Sequence, residues 1–153
     1  MLLLMRLTHI LVGVFWAGTL IFNAWLLAPT LRDLGPDGGK VMGGLAKRGM
    51  LTILPIAGIL TIASGTWLLW TVSGGFDAAY MGSRPGMIYS LGMVLTLIAF
   101  LIAVLVVRSS IAKAATAEPA AAQELRQRAA SAAMLVAWLL ILVIASMALG
   151  RYV

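Results

Sequence analysis

Residues 86–107 read GMIYSLGMVLTLIAFLIAVLVV, a run of 22 positions without one charged side chain. About 20 apolar residues in an α-helix cross the hydrocarbon core of a bilayer. The apolar positions do not alternate with polar ones, as the strands of a membrane barrel would. An open sheet in hydrocarbon would leave backbone groups unpaired. The run therefore reads as a spanning helix. Three more stretches have the same character, Leu7–Ala28, Met50–Ser73 and Ala129–Gly150, and the four together hold 90 of the 153 residues. The expected fold is all-α, an integral membrane antiparallel four-helix bundle forming one domain over residues 1–153. The first stretch is longer than the apolar part of a signal peptide and no clear cleavage site follows it, so it reads as a retained span. Met1–Met5 extend that helix along the interface.

Composition agrees. Hydrophobic residues make up 62% of the chain and charged residues 10%, against about a quarter charged in soluble domains. Mean hydropathy is +1.05. The net charge of +6 is scattered over short loops, which points to the lipid bilayer as the partner rather than nucleic acid. Loop 29–49 carries Arg32, Lys40, Lys47 and Arg48, and loop 108–128 carries Arg108, Lys113, Arg126 and Arg128. The other side has Arg6, Arg84 and Arg151. The positive-inside rule then places the two basic loops in the cytoplasm of a bacterial inner membrane, with both termini outside. Trp67, Trp70, Tyr80, Tyr89 and Tyr152 gather toward the outer interface and Trp25 toward the inner one.

Within loop 29–49, residues Leu34–Gly39 form a turn signal and Lys40–Arg48 an interfacial helix. In loop 108–128, Pro119 suits the first position of a helix that runs into the fourth span. Glu124 and Arg128 are spaced to pair on its wet face.

Lipid is as apolar as leucine, so helices in a membrane associate through close packing of small residues. Four-residue steps of such residues occur on every span: Gly13 and Ala17; Ala57, Thr61 and Gly65; Gly92 and Thr96, with Ala99 and Ala103; and Ala129, Ala133 and Ala137. Pro55 removes a backbone donor from the second span. Asn23, the only amide in a span, is expected to form an interhelical hydrogen bond.

Cysteine is absent and His9 is the only histidine. Disulfides, thiolate metal sites, iron–sulfur clusters and covalent haem attachment are thereby excluded. No Asp, Glu, Lys or Arg lies inside a span, which argues against a proton pump or a charged ion filter. Neither a carboxylate pair nor a Ser-His-Asp set is available for hydrolysis, and Gly38-Gly39 and Gly43-Gly44 lack the strand context of a phosphate loop. What remains is His9, one turn into the first span, where a neutral imidazole can ligate haem iron or copper. Met5 lies one turn away and Arg6 is within reach of a haem propionate. Trp67, Trp70, Tyr89, Met93 and Met147 reach a similar depth, and Met93 is a candidate second ligand.

His9 is followed by Trp16-Ala17-Gly18. Further along stand Leu27-Ala28-Pro29, the basic pair Lys47-Arg48, and Ala63-Ser64-Gly65-Thr66-Trp67. Over about the first 70 residues this pattern resembles the copper-resistance-D-like membrane proteins, and its opening helix resembles that of the bacterial membrane protoporphyrinogen oxidases. The resemblance implies a helical bundle in which His9 helps to bind haem b or a metal, with Trp16 and Gly18 as packing residues. The chain departs from the oxidases in having no second histidine and no lysine within a span. Three readings stand: a non-enzymatic haem- or copper-binding module for redox or metal handling; an accessory subunit packed against a larger respiratory or photosynthetic membrane complex, or against its own copies; and a quinone-linked porphyrinogen oxidase.

Overall fold

The computed structural model describes residues 1–150 and Tyr152; Arg151, counted above on the side of the termini, lies outside them. Four helices are long and apolar enough to cross a membrane: α1 (Leu2–Asp33), α3 (Met50–Val72), α5 (Arg84–Ala114) and α6 (Pro119–Leu149). Two shorter ones connect them, α2 (Pro36–Lys47) and α4 (Ala78–Met81). The long helices close into a ring in which α1 touches α3 and α6, and α5 touches the same two. Up-and-down connectivity makes each neighbouring pair antiparallel, while α1 and α5 run parallel across the diagonal.

The centre is small and tightly filled. Trp16, Ala17, Ala57, Ala99, Val136 and Leu140 are buried together. Large apolar residues such as Leu11, Val14, Ile59, Leu105 and Leu135 point outward, as expected where the surrounding medium is itself apolar.

The small-residue stripes sit at the helix contacts. A Cβ on Gly13 would meet the Thr61 methyl at 3.4 Å, and one on Gly92 would lie 2.6 Å from Ser146 Oγ. Ala129 and Ala137 are buried and Ala133 is half-buried. Each four-residue step down α1 is matched by a four-residue step back along α3, so Gly13 faces Thr61 while Ala17 and Ala57 share the core. Gly18 departs from the packing role that the resemblance implied: it is exposed, with open space where a side chain would stand. Its position, two residues beyond Trp16, turns it toward the outside of the bundle.

Helix bounds also differ from the expected ones, for local reasons. Pro29 has no N–H to give the Trp25 carbonyl, and α1 widens to a π-helical segment over Asn23–Leu27 before continuing to Asp33. Asn23 therefore heads a π turn, its carbonyl accepting from Ala28 N–H. Its side chain forms no hydrogen bond with the described residues, so the expected interhelical amide bond is not made. The turn signal at Leu34–Gly39 is mostly helical: Pro36 starts α2 at the first-turn position that suits its fixed φ, and Asp37 favours the helix N-terminus. Gly38 lies so close to the Leu31 backbone that no side chain fits. Glu124 and Arg128 do not pair; among the described residues the single ion pair is the exposed Lys40–Asp37, at 2.7 Å. The guanidinium of Arg126 lies over Gly39 of α2 instead.

Pro55 leaves α3 unbroken. The carbonyl four residues before it belongs to Leu51, and Arg108 Nε donates to that oxygen at 2.8 Å from across the bundle. Arg108 ends a second π-helical segment, Ala103–Arg108, in α5. A side chain thus replaces the missing backbone donor and ties α3 to α5 at the loop end.

Candidate functional site

At the end of the bundle that carries the termini, His9 leans against Gly65 of α3. A Cβ on Gly65 would fall 2.8 Å from His9 Cε1, so glycine is what lets the imidazole lie flat on that helix. Nδ1 stands 2.9 Å from the Thr61 carbonyl and 3.2 Å from Ser64 Oγ. A carbonyl only accepts, so Nδ1 carries a hydrogen, and in the neutral ring the lone pair resides on Nε2. Ser64 also donates to the Leu60 carbonyl at 2.6 Å, which holds its hydroxyl in place. Nε2 makes no hydrogen bond with the described residues. It is also not a sealed, unpartnered atom, so it is open to a further partner.

The register of three helices defines what shares this layer. Trp16 on α1 meets Phe100 on α5 with ring centroids 6.2 Å apart. Both rings crowd the place where a Cβ of Gly58 on α3 would stand, at 2.7 Å for Phe100 and 3.0 Å for Trp16. His9 is seven residues toward the termini from Trp16, and Met93 is seven from Phe100 on a parallel helix. Seven residues are two turns, about 10 Å, on nearly the same face. On α3 the matching step from Gly58 is Gly65, which carries His9; its neighbour Thr66 approaches the Met93 sulfur at 3.9 Å. His9 and Met93 thus occupy one layer, on either side of Gly65-Thr66.

Met5 is one further turn out on the His9 face and is half-buried. Arg6 is exposed and turned about 80° from the Trp16 face, so the structure leaves it outside the layer. Met147 packs on Gly92, Tyr89 on Gly150, and Trp70 is exposed; these fill or flank the end of the bundle without joining His9.

The donor types along this layer are an imidazole nitrogen and the Met93 thioether, with the Met5 thioether one turn further out. Among the described residues no group of three or more His, Cys, Asp or Glu could hold a hard metal ion. Two recesses lie at the opposite end, lined by residues that include Arg48 and Leu45 in one case and Arg32 and Ser131 in the other. Neither adjoins His9.

Sequence reading missed Thr61 O and Ser64 as the groups that orient His9. A signal existed: sliding the Gly13/Ala17 stripe along the Ala57/Thr61/Gly65 stripe by one step brings His9 opposite Gly65. It also missed the capping of the connecting turn. Asp77 accepts from Ala79 N–H and Tyr80 N–H at 3.0 and 3.1 Å to start α4, and Ser83 caps α5. In that turn, burial and then the neighbouring Tyr89 raise the Tyr80 phenol above its ordinary pKa.

Compared with protein-family models, curated proteins and solved structures, the chain matches none of them.

Proposed function

We propose that this chain is a membrane protein that binds a soft monovalent metal ion, Cu(I), through His9 Nε2, with the thioethers of Met93 and Met5 as further ligands. The observation that carries this reading is the polarity of the histidine: Nδ1 is committed to the Thr61 carbonyl while Nε2 stays open. Metal-ligating histidines almost always donate their other ring N–H to a carbonyl or carboxylate, which fixes the ring and raises its basicity. Soft sulfur donors select Cu(I), and a small ion needs no cleft. Haem b is the other cofactor implied by the likeness to copper-resistance-D-like proteins.

Titration of the purified protein with Cu(I) against a bicinchoninate competitor tests the reading. Wild-type protein is expected to take Cu(I) from the competitor, and His9→Ala to lose that ability. Ser64→Ala, which removes one support of the ring, should weaken binding by about tenfold. Unchanged affinity in His9→Ala would discard the copper site, and a haem absorption band that disappears in this variant would transfer the site to haem.

The same proposal has His9 facing the outside of a bacterial inner membrane, with the basic loops 29–49 and 108–128 in the cytoplasm. Cysteines at Lys40 and Lys113 should then react with an impermeant label only from the cytoplasm, and one at Asp77 only from outside. The reverse pattern would invert the site.

A further inference from the structure

The recess between α1 and α6 at the loop end joins an arginine and a serine to an alanine-lined wall, and we infer that it holds an anionic phospholipid. Its volume is about 390 Å³, within the range of sites that enclose a small ligand or part of a larger one. The inference rests on the reading of the four long helices as membrane-spanning, and it is independent of the copper site.

Depth orders the lining by polarity. The helices are antiparallel, so Arg32 at the far end of α1 lies level with the early part of the α6 span, where Ser131 stands. Ala24 and Ala28 on α1, and Met134 on α6, line the deeper part. Beside these, Trp25 and Trp138 meet edge-on across the α1–α6 seam, with ring centroids 5.5 Å apart. The recess thus has a cationic, hydrogen-bonding mouth and an apolar floor, with its mouth toward the loop end.

Two features make that mouth receptive. Arg32 forms no ion pair within the described residues and is exposed, and the Ser131 hydroxyl makes no hydrogen bond there. Arg128 stands one turn before Ser131 on the same helix and adds a second positive charge. A guanidinium presents paired donors that match two phosphate oxygens, and a serine hydroxyl can donate to a third. Basic pockets between spanning helices bind anionic headgroups through this chemistry. The walls are open because the residues there are small, and because the π-helical segment at Asn23–Leu27 turns Ala24 into the bundle and Trp25 out over Trp138. The alanine-walled floor accepts the first carbons of an acyl chain, which a free anion lacks.

Native mass spectrometry of the full chain, equilibrated in micelles containing equal phosphatidylglycerol and phosphatidylcholine, tests the inference. Wild-type protein should retain phosphatidylglycerol preferentially. Arg32→Gln should retain about tenfold less of it, the loss expected for one charge-assisted hydrogen bond. Ala28→Phe, which fills the floor and changes no charge, should lose it as well. Thermal unfolding in phosphatidylcholine alone checks that both variants fold, and Ser131→Ala replaces either one that does not, with a smaller loss expected. Equal retention of the two lipids by wild-type protein would overturn the inference, as would unchanged retention in Arg32→Gln. Displacement of the lipid by inorganic phosphate at the same concentration would also overturn it, by showing a site for a free anion.

Discussion

At Trp16, the helices α1, α3 and α5 meet around two aromatic rings and a glycine; two turns nearer the termini, at His9, they meet around an imidazole, a serine and a thioether. The backbone arrangement is repeated: a large side chain from α1, a glycine on α3 that accommodates it, and a side chain of α5 across the diagonal. In the Trp16 layer the α1 ring is sealed, with Trp16 only 2% exposed. In the His9 layer one ring nitrogen is bonded and the other is open. The comparison teaches that side-chain chemistry alone decides whether one packing geometry ends in a sealed ring or in a ring with an open nitrogen.

The sharpest way to break the comparison is to empty the closed layer. Trp16→Ala removes the ring that contacts both Phe100 and the Gly58 backbone, and should cost about 3 kcal/mol or more in thermal or denaturant unfolding in detergent. A loss below about 1 kcal/mol would mean that this layer is not the centre of the bundle.

Overfilling the open layer comes next. Gly65→Leu drives a side chain into His9 and should cost about 2 kcal/mol, whereas Trp70→Leu, at an exposed position on the same helix, should stay within about 0.5 kcal/mol. Equal melting temperatures for these two variants would show that α1 and α3 do not approach through Gly65.

Much of this architecture was legible beforehand. The four spans stand out because a run of uncharged residues is a local property, and the start of α6 at Pro119 follows from one residue at one helix position. The stripes Gly13/Ala17 and Ala57/Thr61/Gly65 were readable as faces, and His9 as the lone imidazole. Which face meets which was not readable. Nor was the reach of Arg108 to Leu51, 57 residues away, which repairs the gap left by Pro55. Asn23 shows the converse: an amide in a span invites an interhelical bond, yet the π turn begun by Pro29 gives that residue a different role.

The order of residues along the chain was enough to establish four apolar helices, their small-residue seams, the basic loops between them, and a single imidazole. These follow from hydrophobicity and helical hydrogen bonding, which act within a few residues. Tertiary packing decided the register of α1 on α3, the ring nitrogen of His9 that is left open, the placing of Met93 in its layer, and the gap between α1 and α6. In an apolar medium hydropathy does not favour one helix face over another, so the fit of side chains across each contact makes the choice.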